Sequence, residues 1–340
     1  MSRLPMYLVV GSGSIAKRHI ENLKQLFGTV TARIGCISAT GRVLSTQEVG
    51  NDTVIYESLA QALNDNPVFA IIASPAPLHA IHAAQLLKQQ VPVLIEKPLS
   101  DSLARFAAHG DTLTAHSNKI EIAYNLRFMS SAVKFRDLLS ESVVGAVRSV
   151  SVDVGQYLPD WRPMTDYRKN VSARSELGGG VLLELSHELD YLGWLFGPFS
   201  TAYCVARNTG ALEIDVEDTV DALLVRADQL TISVHMDFLQ RAPVRICKVV
   251  GEKGTLIWDI LNNGIILHVG KDQQSVLFED SCYDRNNMYI DQLCHFSQVA
   301  MGSAMPAIRL EDGLQTLRLI EAMKKSAVTG QVVKIGDIQA

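Results

Sequence analysis

The hexapeptide Gly11-Ser-Gly13-Ser-Ile-Ala16 constrains this chain more than any other feature of its sequence. It directly follows the apolar run Met6–Val10, and beyond it Ile15, His19/Ile20, Leu23 and Leu26/Phe27 recur at helical spacing. Strand, glycine turn and amphipathic helix in that order are how a dinucleotide-binding unit opens. Gly11 permits the tight turn, Gly13 lets the backbone approach a pyrophosphate, and Ala16 allows helix and strand to pack closely. The amides at the helix start, around Ser14 and Ile15, then face the phosphate. Alone the hexapeptide fits a plain tight turn as well; its place between strand and helix favours the nucleotide.

Further strands are expected over 31–37, 68–72 and 91–95, with a helix over 78–90. Strands alternating with helices imply a parallel, doubly wound sheet. Past Arg148 the pattern changes. Ile232, Val234, Met236 and Phe238 alternate with polar neighbours, the mark of a half-buried antiparallel strand. Similar runs over 219–226, 244–250, 255–260 and 265–269 are joined by turn signals such as Asn263-Gly264. Helical period returns over 289–301 and 310–327. The fold class is therefore α/β, with a nucleotide-binding domain over 1–125 and a second α/β domain over 126–340. That second domain has an open, mainly antiparallel sheet and C-terminal helices that pack back.

The length of 340 residues agrees with two domains. With 31 basic against 36 acidic residues and no long run of either sign, nucleic acid is not an expected partner. Cys36, Cys204, Cys247, Cys282 and Cys294 are scattered and form no CxxC pair, so reduced thiols in a cytoplasmic protein are expected, with no structural zinc. No stretch approaches the roughly 20 apolar residues that cross a bilayer.

The second strand ends in Cys36-Ile-Ser38-Ala-Thr-Gly-Arg42, without the acid that usually binds a ribose 2′-hydroxyl. Ser38 and Arg42 suit a 2′-phosphate, which tilts the cofactor expectation from NAD toward NADP; Arg42 is equally a solvated loop residue. The third and fourth strands end in Ser74-Pro75 with His79 and in Glu96-Lys97-Pro98, where ligands gather in such sheets. Pro98 disposes Lys97 to an extended backbone and so fixes how its ammonium projects. An ordinary surface ion pair remains the competing reading of Glu96-Lys97.

Together with Tyr124-Asn125-Leu126-Arg127-Phe128 and the later Gly178-Gly179-Gly180, these motifs resemble the Gfo/Idh/MocA family, relatives of glucose-fructose oxidoreductase and inositol dehydrogenase. The resemblance runs through nearly the whole chain in the family's order. It implies a Rossmann domain with Asn125 among the cofactor contacts, a second domain that often forms a homodimer or homotetramer interface, and nicotinamide-dependent redox chemistry on a sugar or polyol. Lys97 inherits the place of the family lysine beside nicotinamide and substrate.

In Gly178-Gly-Gly-Val-Leu-Leu-Glu184-Leu-Ser-His187-Glu188, helical spacing puts Glu184, His187 and Glu188 on one face, with the glycines near a ligand. The family's aspartate stands four residues before the histidine, whereas Glu184 precedes His187 by three, so His187 is the better supported. Histidine suits proton transfer, and a structural hydrogen bond is its alternative. Metal spacings at Glu184/His187, His79/His82 and Asp291/His295 lack the second motif that a di-iron bundle needs, and no catalytic metal is expected. Trp161, Arg162, Tyr167 and Arg168 offer a ring face and forked donors to a sugar, or else a domain or subunit contact. Arg127, Arg241 and Tyr289 are further substrate candidates.

The segment from Tyr167 to His187 looks most like family members of bacterial surface-sugar synthesis, which points to a nucleotide sugar or acidic sugar. Two other functions fit a Rossmann half: a non-catalytic cofactor sensor, and a glycoside hydrolase that oxidises its sugar transiently and returns the NAD unchanged.

Overall fold

The computed structural model describes residues 4–161 and 163–339. The chain forms two compact units, one built from residues up to Asn125 together with Asn286–Leu314, the other from Leu126–Arg285 with Gln315–Gln339.

The first unit is a parallel sheet of β1 (Met6–Val10), β2 (Arg33–Ile37), β3 (Thr53–Tyr56), β4 (Phe69–Ile72), β5 (Val93–Ile95) and β6 (Ile120–Ile122) in the order β3-β2-β1-β4-β5-β6. That order reverses between β1 and β4, the crevice where doubly wound sheets bind ligands. β3 and β6 were not among the expected strands, because runs of four and three residues carry too little period to stand out. The helix Ser14–Phe27 lays Ala16, Ile20 and Leu23 into the core under β1 and β4.

The segment Asn286–Leu314, expected in the second domain, belongs to this unit. Its helix Asn287–Ala300 buries Leu293, Phe296 and Val299 in the same core, with Phe296 edge-on to Phe69 at 5.2 Å. Each such side chain contributes ~1.5–3 kcal/mol. The fully buried carboxylate of Glu121 on β6 adds a polar tie, accepting from His295 Nδ1 at 3.0 Å and from the Ala307 amide at 3.0 Å. His295 is thus joined to Glu121 through Nδ1.

The second unit carries a nine-stranded sheet of β7 (Val147–Gly155), β8 (Thr201–Arg207), β9 (Thr219–Val225), β10 (Thr231–Asp237), β11 (Val244–Gly251), β12 (Thr255–Asp259), β13 (Gly264–Gly270), β14 (Gln273–Glu279) and β15 (Val333–Lys334). Its order is β14-β13-β12-β11-β7-β10-β9-β8-β15, and every pairing is antiparallel except β7 with β10. Alternation buries Ile232, Val234 and Met236 of β10 and leaves Ser233 outward. Trp258 on the covered face packs on Phe135 and Tyr191, and its indole N–H donates to Ser131 Oγ at 2.8 Å. The opposite face leaves Tyr203, Val205 and Leu223 about 40% exposed. No helix among the described residues is long and apolar enough to cross a membrane.

Candidate active site

The glycine turn joins β1 to the helix Ser14–Phe27. Gly11 has φ +124°, its N–H donates to Ile37 O at 2.8 Å, and a Cβ there would overlap the Ala73 carbonyl at the end of β4. Only glycine fits this place. Gly13 is extended, and a Cβ on it would meet nothing within 4 Å. The protein does not demand glycine there; the open side is what a pyrophosphate approaching the backbone requires. The helix begins with Ser14 and Ile15 and has no acid in its first turn, so its amide end suits an anion. Ala16 is fully buried, as close helix-on-sheet packing requires.

At the end of β2, Ser38 Oγ accepts the backbone N–H groups of Thr40 and Arg42, both at 3.2 Å, and so shapes the loop. Arg42 is half exposed and paired. Its Nη2 donates to Ser12 Oγ in the glycine turn at 3.1 Å and to Glu48 Oε1 at 2.5 Å. The Arg42 guanidinium holds the Glu48 carboxyl down at about 2, helped by the Ser45 amide. An acid therefore does stand beside this loop, eleven residues beyond the strand end. Ser45-x-x-Glu48 is a capping box that begins the helix Thr46–Val49, and that box was the readable signal for it.

Ser74 lies two residues past β4, and its Oγ bonds His82 Nδ1 at 3.1 Å. Burial, and next the neighbouring His79, push His82 down to about 4. Pro75 precedes the short turn Ala76–Leu78. His79, expected to touch the cofactor, is 1% exposed, with Nδ1 2.8 Å from Pro98 O and Nε2 2.7 Å from Ser74 O. It ties the ends of β4 and β5 together, and its ring nitrogens are engaged by the backbone.

Glu96, also expected at the cofactor, turns inward: Oε1 lies 2.7 Å from His19 Nε2, and Oε2 accepts the Lys97 backbone N–H at 3.2 Å. Lys97 follows, half-buried, just past β5. Asn125, beyond β6, is 2% exposed, and its Nδ2 is bonded to none of the described residues. Such a buried donor fits a ligand acceptor. Tyr289 belongs to this unit as well: its ring lies edge-on to His19 at 6.2 Å and under the Arg18 guanidinium at 4.6 Å.

In the second unit the three glycines serve chain packing. Gly178 is left-handed with φ +79°, a Cβ on Gly179 would overlap Val171 O, and one on Gly180 would strike the Glu217 carboxylate. Burial raises that carboxyl, whose Oε1 accepts the Leu182 amide at 3.0 Å. The expected single helix is broken at Leu185 into Val181–Glu184 and Ser186–Phe196, so Glu184 and His187 stand on either side of the break. Glu188 is fully buried and accepts from Arg245 Nε at 2.6 Å. Arg127 is bound to Asp190 by two bonds of 2.9 and 2.7 Å, through Nε and Nη2.

Trp161 lies edge-on to Phe238 at 5.4 Å, with a buried indole N–H bonded to none of the described residues. Arg168 Nε donates to Asp166 at 2.8 Å and its Nη1 to Glu213 at 2.7 Å, so both forks of its guanidinium are engaged; Tyr167 lies 5.9 Å beneath it. Arg241 stacks on Tyr157 at 3.5 Å. Arg162 lies outside the described residues.

Residues 6–124 match the model of an oxidoreductase family's NAD-binding Rossmann fold, and residues 132–257 match the GFO/IDH/MocA C-terminal domain. Among relatives, the chain is 24% identical over 342 residues to the 1,5-anhydro-D-fructose reductase of Ensifer adhaerens, covering 96% of this chain and 97% of that protein. Matches to the uncharacterized oxidoreductase sll0816 of Synechocystis sp. and the rhizopine catabolism protein MocA of Rhizobium meliloti span 57% and 66% of those proteins. The fold is shared with the aldose-aldose oxidoreductase of Caulobacter crescentus complexed with glycerol: TM-score 0.81, 22% identity, 98% of this chain and 100% of that one. It is also shared with the WlbA dehydrogenase of Bordetella pertussis in complex with NADH and UDP-GlcNAcA: TM-score 0.79, 21% identity, 98% and 99% coverage.

Proposed function

The chain belongs to the Gfo/Idh/MocA family of NAD-binding oxidoreductases, and from that premise we propose a dehydrogenase or reductase acting on a sugar, a sugar derivative such as a nucleotide sugar, or a polyol. The first unit takes the cofactor and the second the substrate. One observation carries the reading: the open glycine turn lies at the strand-order reversal of the sheet, and the end of β5 presents Lys97 on the same carboxyl edge. Full-length relatives that bear the names 1,5-anhydro-D-fructose reductase and inositol 2-dehydrogenase support the substrate class.

The amides at Ser14 and Ile15 bind the pyrophosphate beside Gly13, and Asn125 Nδ2 donates to the cofactor. When bound, the nicotinamide accepts or gives the hydride. Lys97 orients the substrate oxygen. In oxidation its Nζ takes the hydroxyl proton, and in reduction its ammonium stabilises the charge that develops on the carbonyl oxygen. His187, on the second unit, is the second candidate for proton transfer, at a ring nitrogen. Trp161 and Tyr167 offer ring faces to the sugar, and the indole N–H of Trp161 a donor. Glu48 neutralises Arg42 where a 2′-phosphate would sit, which favours NAD over the NADP that Ser38 and Arg42 suggest in sequence. The half-exposed Tyr203, Val205 and Leu223 support a homo-oligomer through the sheet face. Five unpaired thiols agree with the cytoplasm.

The test is Lys97→Met and His187→Asn, with turnover and cofactor affinity measured separately. Turnover should collapse in the first while cofactor still binds; in the second the rate should fall and its pH profile change. Native mass spectrometry of the purified protein should release a pyridine nucleotide. Unaltered turnover in Lys97→Met, or no binding of NAD or NADP, refutes the assignment.

A further inference from the structure

His19 stands where the glycine helix turns its apolar face to the sheet, beside Ala16, Ile20 and Leu23, and is 1% exposed. An imidazole there costs free energy unless its polar atoms are bonded. The bond it makes reaches 77 residues along the chain, to Glu96 Oε1 at 2.7 Å. Glu96 is itself 7% exposed, and its other oxygen accepts the backbone N–H of the next residue, Lys97, at 3.2 Å. In the tautomer with hydrogen on Nε2, the ring donates to this carboxylate and leaves a lone pair on Nδ1, which is bonded to none of the described residues. Tyr289, itself under Arg18, packs on the ring. The helix whose first amides suit a pyrophosphate is therefore linked, through His19 and then Glu96, to the backbone of Lys97.

We propose that His19 is a positioning residue: by holding Glu96 it fixes the chain at Lys97 and so aims the ammonium, tying its placement to the phosphate-binding helix. This rests on the role given to Lys97 above. A buried histidine that served packing alone would be replaceable by any side chain of similar volume. A positioning one must keep a donor near Nε2, which glutamine supplies and leucine does not.

The experiment compares His19→Leu, His19→Gln and Glu96→Gln with the full-length wild type. Lysines are 13C-dimethylated, the Lys97 signal is assigned by its loss in Lys97→Arg, and its chemical shift is read with and without NAD. This readout does not depend on turnover. The Lys97 signal should move in His19→Leu and in Glu96→Gln, and return toward the wild-type position in His19→Gln. In the unmodified proteins, kcat should fall on the order of tenfold in His19→Leu with the cofactor Kd within about threefold of wild type, the mark of an interaction lost in the transition state. His19→Gln should recover most of kcat. An unmoved Lys97 signal in His19→Leu overturns the inference, as does an equal displacement by leucine and glutamine, which would mean packing alone. If His19→Leu does not fold, an unmoved signal in Glu96→Gln overturns it equally. A wild type without nicotinamide-dependent turnover would refute the oxidoreductase reading and leave the lysine signal to decide this one.

Discussion

Replacing Asp190 by alanine should cost the second unit much of its stability. The Arg127 and Asp190 side chains are 7% and 1% exposed and joined by two bonds, and the guanidinium also lies 5.5 Å from the Trp194 ring. Breaking such a buried pair by removing one partner costs ~3–5 kcal/mol. For a unit of this size each kcal/mol moves the thermal midpoint by ~2–4 °C, so a drop of roughly 6–20 °C is expected in calorimetry. The double variant Arg127→Met/Asp190→Leu removes both charges in favour of apolar groups and should recover most of the loss. A midpoint in Asp190→Ala within about 3 °C of wild type, or a double variant as unstable as the single one, would refute the reasoning. The double variant also separates stability from chemistry: a stable protein whose substrate KM has risen about tenfold would return Arg127 to the substrate site.

Three further outcomes follow from the first unit. Gly11→Ala should abolish cofactor binding in calorimetric titration, because the new Cβ meets Ala73 O at a φ of +124°. Glu48→Gln should raise the preference for NADP over NAD several-fold in paired Kd measurements, since it frees Arg42 for a 2′-phosphate. His82 should titrate near 4 by imidazole NMR. Its folded value lies below the ordinary 6.5, so the unfolded chain takes up the proton first; its contribution to stability is full above 6.5 and declines as pH falls toward 4.

What could be read in the sequence was local. A five-residue apolar run, a glycine turn and a helical period lie within some twenty residues of one another, and they identify β1, the turn and the helix Ser14–Phe27. β7 carries the alternation of Val150, Val152 and Val154 and was open to the same reading as β10, although it was not expected. The mostly exposed edge strand β14 offers no apolar pattern to find. The break at Leu185 lies in a stretch whose composition alone suits an unbroken helix.

The sequence by itself determined the two kinds of sheet, the glycine turn and the presence of a lysine after a buried strand, because hydropathic period and the sterics of glycine and proline act between near neighbours. Only the tertiary structure decided which polar side chains meet which partners: Arg42 with Glu48, His19 with Glu96, Arg127 with Asp190, and His79 with two strand-end carbonyls. It also returned Asn286–Leu314 to the first unit. A side chain's partner depends on distance and burial after the chain has folded back on itself, and neither quantity is carried by residue type or spacing.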